Sequence, residues 1–460
     1  MHILRQEKGF YRGAITLMLP MILQNFVTNF MAMADTFMVG ALGETELAAV
    51  TMANSVFYVL SLIIFGIQSG TTVLVAQYNG RGNRDAINRV LGMGFYVSVI
   101  ITSLVALCTT LFPEQIMGVL TNNDSLIPAG SQYMRIVGLS YVCMSVSGVY
   151  IAVQRSMEHP KLGAYLLTVS GAMNILLNYM LIFGKWGAPA MGCAGAALAT
   201  LISRAFEVVV VAVFAARSRT LPLDLKALAM PGMVIARDFA KYSLPVVMNE
   251  GMWSLAISLY SVIMGHMPNS TQILSAYTIA GNIEKLINVG LFAAGNASAV
   301  IIGRDIGAGN DRDILSKGIA LNLMCIGTGL LSAVFLLLVR AFFADSFIFP
   351  LMDISPGAGE IAKYMLLVIA IAMPLRASNL GNIVGIFRGG GDVRFGLVAD
   401  IVPMYLLCLP AAALAGLVFG QGIYVVYICM CLDDAMKVFM CFPRLLSGKW
   451  INNVTRDALT

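Results

Sequence analysis

Three polar residues in this 460-residue chain have side chains that could bind a cation: Asp35, Asn178 and Thr200. Carboxylate, amide and hydroxyl oxygens are the ligands that a hard cation such as Na⁺ prefers, whereas a proton needs only the carboxylate. All three residues lie in apolar surroundings. An ionised carboxylate in hydrocarbon costs roughly 3 kcal/mol on insertion scales. We therefore expect Asp35 to be solvated, to be paired with another group or to have a function in the protein. The alternatives are a structural helix cap for Asp35 and interhelical hydrogen bonding for Asn178.

A second acid, Glu250, lies five residues after Pro245, and Trp253 follows it by about one helical turn. Proline interruptions at matching places in two halves of a chain indicate the binding site of a transporter. A carboxylate beside an indole can hold an organic cation by charge and by cation–π attraction. Arg204 and Glu207, three residues apart, are expected to pair with each other. Other charges in the second half could form a structural ion-pair network or a proton relay: Glu284, Lys285, Arg376, Asp433 and Asp434.

Membrane-spanning helices are the elements that must hold these residues. The chain is 58% hydrophobic and 12% charged, with a mean hydropathy of +0.82, which is typical of an integral membrane protein. Its apolar stretches are long enough to cross about 30 Å of hydrocarbon as helices. The first is too long for a signal peptide and is expected to be retained. Twelve spans are predicted near residues 13–39, 47–76, 90–112, 133–154, 162–184, 190–215, 240–264, 275–302, 318–343, 363–387, 395–419 and 421–443.

The distribution of basic residues predicts the orientation. Most of the 29 Lys and Arg residues lie on the side that holds both termini, including Arg5, Lys8, Arg312, Arg388 and Lys437. Because basic residues favour the inner face, both termini are expected to be cytoplasmic. Asp35, Asn178 and Thr200 then lie at a similar depth in the outer halves of spans one, five and six.

The two halves of the chain form an internal repeat. Leu19-Pro20 followed by Asn25 matches Leu244-Pro245 followed by Glu250, and similar matches recur at a nearly constant offset. An even number of spans separates the copies, so they share one orientation. This predicts a transporter that rocks its halves about a central cavity, with a duplicated scaffold as the alternative. The predicted parts are an N-terminal lobe at 1–216, a cytoplasmic linker at 217–241 and a C-terminal lobe at 242–460.

An ordered set of motifs runs nearly end to end. They are ADTFMVG at 34–40, QYNGRGN at 77–83, NILLN at 174–178, GCAGAALAT at 192–200, NEGMW at 249–253, GAGN at 307–310 and FRGGGD at 387–392. Together these motifs resemble the multidrug and toxic compound extrusion (MATE) family of bacterial transporters. The resemblance implies an all-α membrane protein with twelve transmembrane helices in two pseudo-symmetric six-helix bundles around a V-shaped cavity. It also implies an antiporter, not an enzyme, that exports diverse, mostly cationic organic compounds in exchange for H⁺ or Na⁺.

The resemblance further implies roles for individual residues. Asp35, Asn174 and Thr200 match the family's N-lobe cation site, and Asn178 stands where several members carry a second Asp. An Asn keeps an oxygen ligand but removes a negative charge, which should weaken Na⁺ binding. The residues expected to bind the coupling cation are Asp35, Asn174, Asn178, Thr200 and Glu250, and the first four would be metal ligands if that cation is Na⁺. The residues expected to bind substrate are Glu250, Trp253 and Asn25.

We expect a monomer in the bacterial plasma (inner) membrane that binds small organic cations, has no cofactor besides its coupling ion and has no nucleic-acid partner. A lipid-linked sugar flippase of the related superfamily is the closest alternative, although such proteins often have extra spans and a more cationic cavity. A carrier of the major facilitator type should show a Gly-Asp-Arg signature after span two, where this chain has NGRGN at 79–83. A membrane enzyme would need a catalytic cluster, but the three histidines are scattered.

Overall fold

The computed structural model describes residues 9–310, 313–349 and 355–457, and this part of the chain is helical throughout, without strands. Two short helices, Pro113–Leu120 and Leu225–Ala229, lie between longer ones. The twelve long helices are α1 Phe10–Gly40, α2 Glu44–Gly80, α3 Arg84–Leu111, α4 Ile127–Ser156, α5 Lys161–Phe183, α6 Cys193–Arg217, α7 Met233–Gly265, α8 Ser270–Gly307, α9 Ile314–Ser346, α10 Pro356–Phe387, α11 Val393–Val418 and α12 Ile423–Ser447.

These helices confirm the prediction of an all-α membrane protein. Eleven of them are long and apolar enough to cross a bilayer, and α12 falls short because its middle carries Asp433, Asp434 and Lys437. Most helices extend beyond the predicted spans. The helices α2 and α8 contain 37 and 38 residues, so each is about 55 Å long, well over the hydrocarbon thickness. Hydropathy detects only the apolar middle of such helices, because their polar ends continue the same backbone hydrogen bonding.

Local sequence explains where several helices end or change geometry. The side chain of Asn83 accepts a hydrogen bond from the Ala86 amide at 3.0 Å and so caps the start of α3. Gly184, in the left-handed conformation with φ 66°, ends α5. In α11, a π-helical stretch, Met404–Cys408, lies between Pro403 and Pro410. Proline removes a helical hydrogen-bond donor, which is consistent with the altered geometry there.

Contacts divide the described chain into two compact units. The N-unit holds Pro20–Val247 together with the residues from Arg456 onward, and the C-unit holds the residues up to Leu19 together with Met248–Thr455. The division therefore falls inside α1 and α7, close to Pro20 and Pro245. The predicted lobe boundaries instead followed the basic linker at 217–241, which the contacts group with the N-unit.

Each unit has its own apolar core. In the C-unit the centre is α10, where Met365, Leu366, Ile369 and Met373 are fully buried. In the N-unit, α4 packs against α2, α3 and α6. A Cβ atom at Gly195 of α6 would collide with the backbone of α5, so this glycine allows the close approach of the two helices that carry most of the predicted cation site.

Two of the basic residues assigned to an aqueous flank lie elsewhere. Arg388 and Lys437 are only 3% and 5% exposed. They form ion pairs inside the C-unit, so neither is an exposed charge at a helix flank. Arg5, Lys8 and Arg312 lie outside the described residues.

Candidate functional site

The predicted N-lobe residues come together in the N-unit. Asn178 on α5 donates a hydrogen bond from Nδ2 to Oδ1 of Asp35 on α1 at 2.5 Å. It also donates to Oδ1 of Asn174 at 3.4 Å. Asn174 in turn donates from Nδ2 to Oγ1 of Thr200 on α6 at 3.5 Å. The two asparagines are four residues apart and therefore share one face of α5. We refer to these four residues as the Asp35 cluster.

The Asp35 cluster is mostly buried, and one of its oxygen atoms has no hydrogen-bond partner among the described residues. Asn174 and Asn178 are 1% and 0% exposed, while Asp35 is half-buried. Among the described residues, Oδ1 of Asn178 has no hydrogen-bond partner, and no basic side chain forms an ion pair with Asp35. Buried polar atoms in proteins are nearly always satisfied, so an unpaired oxygen beside a carboxylate suits a cation or a water molecule.

The chemistry of the cluster fits a hard cation or a proton. Its four side chains can present carboxylate, amide and hydroxyl oxygens, which suit Na⁺, and the carboxylate alone can bind H⁺. The described residues contain no group of three or more His, Cys, Asp or Glu side chains placed to hold a metal ion. The cluster therefore has the composition of an alkali-cation or proton site and lacks the ligands of a transition-metal centre.

Beyond Thr200, α6 carries a second polar group, formed by Arg204 about one turn further along and Glu207 about two turns further along. Glu207 is fully buried and accepts hydrogen bonds from Ser147 Oγ at 3.0 Å and from Ser170 Oγ at 2.6 Å. Arg204 contacts both of its oxygens through Nη1, at 2.9 and 3.1 Å. The predicted pairing of Arg204 with Glu207 is confirmed. The serines, contributed by α4 and α5, were not recognised from sequence, because serine is common as a packing residue in membrane helices.

In the C-unit, Glu250 has an ion-pair partner that the sequence patterns did not predict. Nη2 of Arg388 donates to Oε1 of Glu250 at 3.0 Å, and the side chains are 4% and 18% exposed. The π-helical stretch Gly381–Phe387 immediately precedes Arg388. Such stretches rotate the residues that follow them around the helix axis, and they are frequent at functional sites. Glu250 therefore differs from Asp35 in having a buried built-in counter-ion.

Further ion pairs connect α7, α11 and α12 in the C-unit. Asp400 accepts hydrogen bonds from Asn249 at 3.0 Å and from Lys437 at 2.6 Å. Lys437 also contacts Asp433 at 2.8 Å, one turn earlier on α12. A charge buried this deeply is tolerated when it is paired and hydrogen-bonded. Lys437 therefore neutralises acids from two helices.

A third set of pairs joins α8, α10 and α12. Arg376 contacts Glu284 and lies 3.0 Å from Asp434. Asn379 donates to the Asp434 backbone carbonyl at 2.7 Å. The structure thus shows an ion-pair network among the charges considered in the sequence analysis. Lys285 is exposed and has no part in it among the described residues.

The predicted substrate residues lie in different units. Trp253 is 38% exposed on α7, three residues after Glu250, in the C-unit. Asn25 is half-buried on α1 in the N-unit, where its backbone carbonyl accepts a hydrogen bond from Asn29 at 3.0 Å. The substrate roles of Glu250, Trp253 and Asn25 stay predictions.

Two stretches of the chain, residues 20–180 and 245–414, match the MatE family model. The chain is 24% identical over 444 residues to the probable multidrug resistance protein NorM of Thermotoga maritima, covering 95% of this chain and 92% of that protein. It is 25% identical over 420 residues to the multidrug resistance protein MdtK of Yersinia pseudotuberculosis, covering 88% of each. A crystal structure of a Vibrio cholerae MATE transporter variant shares the fold with a TM-score of 0.84 at 17% identity, covering 96% of this chain and 97% of that one.

Proposed function

This chain belongs to the MatE family, and from that premise we propose that it is a cation-coupled antiporter exporting structurally diverse, mostly cationic organic compounds. Members of the family are transporters, not enzymes, and the helices described above make this chain a multi-pass membrane protein. Export of drugs is supported by its similarity to proteins named for multidrug resistance. The lipid-linked sugar flippase is not favoured by these relatives.

The contrast between Asp35 and Glu250 is the observation that carries the coupling proposal. Asp35 accepts its hydrogen bond from a neutral amide, whereas Glu250 is paired with Arg388. An ionised carboxylate in a membrane span needs a compensating positive charge. For Asp35 the coupling cation supplies that charge. Asp35 is thus the primary coupling acid, and Glu250 becomes available only when its pair with Arg388 opens.

The ligand set supports either coupling ion. For Na⁺, the oxygens of Asn174, Asn178 and Thr200 would join the Asp35 carboxylate. For H⁺, Asp35 alone takes the proton, and Asn178 remains hydrogen-bonded to it. Binding of either cation neutralises Asp35 and so removes the cost of holding a charge in an apolar span while the lobes exchange sides.

The proposed transport cycle is alternating access. Cation binding at Asp35 or Glu250 competes with binding of the organic cation, and the compound is released on the outer face. Glu250, Trp253 and Asn25 bind the compound, with the indole adding cation–π attraction. The protein acts as a monomer in the bacterial inner membrane with both termini in the cytoplasm, as the distribution of basic residues favours.

Ethidium transport into everted vesicles tests the proposal. Imposed Na⁺ and pH gradients are applied separately to the parental protein, to Asp35→Asn and to Thr36→Ala, an exposed neighbour that serves as the control. We expect one gradient to drive transport in the parental protein and the control, and Asp35→Asn to insert normally but transport nothing. Transport by Asp35→Asn at the parental rate would refute the role of Asp35. Absence of transport under both gradients, with ethidium and with other organic cations, would refute drug export.

A further inference from the structure

Two acids lie at opposite ends of one polar seam between α5 and α6. Ser170, Asn174 and Asn178 follow one another at four-residue spacing on α5, so they form a stripe on one face. Ser170 contacts Glu207, and Asn174 contacts Thr200. Asn178 completes the series by contacting Asp35 of α1. The stripe is about 12 Å long at the helical rise of 1.5 Å per residue.

At one end of the seam, Glu207 is fixed in position by its hydrogen bonds. Its two oxygens accept hydrogen bonds from Ser147, Ser170 and Arg204, which come from three different helices. Hydrogen bonds from several donors and a guanidinium partner stabilise a fully buried carboxylate. Glu207 therefore serves as an anchor for Arg204.

The ion pair with Glu207 engages only part of the Arg204 guanidinium. It engages Glu207 through Nη1 alone, and among the described residues Nε and Nη2 have no acceptor. Its side chain is 20% exposed, and Arg204 lies one turn after Thr200, the α6 member of the Asp35 cluster. Hydrogen bonds from Asn174 and Asn178 connect Thr200 to Asp35. A guanidinium has five N–H donors in a planar fork, so one face can stay anchored while the other binds a second anion.

We propose that Arg204, anchored by Glu207, is the internal counter-ion of Asp35 in the cation-free state and thereby promotes release of the coupling cation. The inference rests on the proposed function, in which Asp35 binds that cation. When the cation leaves, the free donors of Arg204 stabilise the ionised carboxylate. When a cation binds, repulsion from the guanidinium weakens its binding. Arg204 thus acts through Asp35 and is a positioning residue that sets cation affinity.

Few other groups act on Asp35 from the helices packed around it. Asn178 of α5 is its neutral hydrogen-bond partner, and Arg204 of α6 is the positive charge that acts on it. Tyr133 of α4 interacts with Asp35 electrostatically and donates its own hydroxyl to Asn54 of α2 at 3.3 Å. Charge changes on α6 alone can therefore test how Arg204 affects cation binding at Asp35.

Three variants separate an electrostatic role from a structural one: Arg204→Gln, Glu207→Gln and the double variant Arg204→Gln/Glu207→Gln. The measurement is the concentration of coupling cation that gives half-maximal ethidium transport, in the Na⁺ or the pH arm, whichever drives the parental protein. Arg204→Gln leaves only the negative charge, so half-saturation should need about tenfold less cation. Glu207→Gln leaves only the positive charge, so half-saturation should need more cation, by a smaller factor because Glu207 lies at the end of the seam opposite Asp35.

The double variant removes both charges of the pair, so it leaves no unpaired charge in the seam. It can therefore be measured even if the single variants misfold. Because Arg204 is the closer of the two to Asp35, half-saturation in the double variant should lie between the parental value and that of Arg204→Gln. Shifts of all three variants in one direction, or a loss of rate without any shift, would overturn the inference. Adding Asp35→Asn to each background should abolish transport. Transport that persists there would instead refute the coupling role of Asp35.

Discussion

Asn178 on α5 donates its side-chain amide to the carboxylate of Asp35 on α1, with 2.5 Å between Nδ2 and Oδ1. This neutral partner orients the carboxylate without balancing its charge. The partner of Glu250 is the cationic Arg388 at 3.0 Å. A carboxylate with a neutral partner gains more from an incoming cation than one that is already paired. The two membrane acids are therefore suited to different tasks, and we expect the residue at position 178 to set how strongly Asp35 attracts a cation.

Replacing Asn178 with Asp tests that control. A second carboxylate beside Asp35 doubles the negative charge of the cluster and retains the oxygen, so the cation needed for half-maximal ethidium transport should fall at least tenfold. If Na⁺ is the coupling ion, the gain should appear in the Na⁺ arm of the vesicle assay.

The matched control for that substitution is Asn178→Ala, which removes the hydrogen bond to Asp35 without adding charge. It should weaken cation binding or leave it unchanged. Equal half-saturation in the Asp, Ala and parental proteins, in both the Na⁺ and the pH arms, would show that position 178 has no part in cation binding.

The fold was largely predictable from the sequence because each apolar stretch is a local signal. Twelve spans were predicted and the described part of the chain holds twelve long helices, but polar ends lengthen helices such as α2, Glu44–Gly80, beyond the predicted bounds. The boundaries between the two units were harder to predict from the sequence. They depend on which neighbours the first turns of α1 and α7 contact, and hydropathy carries no information on that.

The Asp35 cluster was predictable because a polar residue in an apolar span stands out and the motifs could be matched. The pair Arg204 and Glu207 followed from its three-residue spacing on one helix. The pair Glu250 and Arg388 joins residues 138 apart in sequence. It depends on how α7 and α10 are rotated against each other and on a π-helical stretch, and a single sequence specifies neither in a form that spacing rules detect.

The Glu250 and Arg388 pair predicts a stability effect. Arg388→Gln leaves a largely buried carboxylate without its cationic partner, which costs about 3–5 kcal/mol when a buried pair is broken. The melting temperature of the purified protein in detergent should therefore fall clearly. The double variant Arg388→Gln/Glu250→Gln removes both charges and should recover most of the loss. A single variant that melts like the parental protein would contradict the observed pairing.

Arg376 offers a second test, with a matched control beside it. It contacts Glu284 on α8 and Asp434 on α12, so Arg376→Gln leaves one buried acid, Asp434, and one half-buried acid, Glu284, without their shared cation. We expect a lower melting temperature and a lower yield of folded protein. Lys285→Gln removes an exposed positive charge next to Glu284 in sequence and should have no measurable effect. Equal losses in the two variants would mean that net charge, not the specific ion pairs, determines stability.

The C-terminal segment gives the last prediction, on the ion pair between Arg456, which lies after α12, and Asp238 in the first turns of α7. Arg456 donates from Nε and Nη2 to the carboxylate of Asp238 at 3.0 and 3.2 Å, and its backbone amide donates to the hydroxyl of Tyr78 at 3.1 Å. Asp238 is 4% exposed, and Arg456 is its only ion-pair partner among the described residues. Arg456→Gln should lower stability by about 1–3 kcal/mol, because a buried acceptor loses its charged donor. Thermal unfolding in detergent measures the loss.

The pH dependence of that loss distinguishes the pair from a general charge effect. Hydrogen bonding to Asp238 raises the pKa of Arg456 above its ordinary value. A base whose pKa is raised on folding contributes its full stability below the unfolded pKa, which for arginine lies far above neutral pH, and loses it as the pH rises through the folded pKa. The difference between the parental protein and Arg456→Gln should therefore be constant from about pH 6 to pH 9. Lys449→Gln, an exposed neighbour in the same segment, should melt like the parental protein. A loss in Lys449→Gln as large as that in Arg456→Gln would show that the ion pair with Asp238 is not what holds the segment in place.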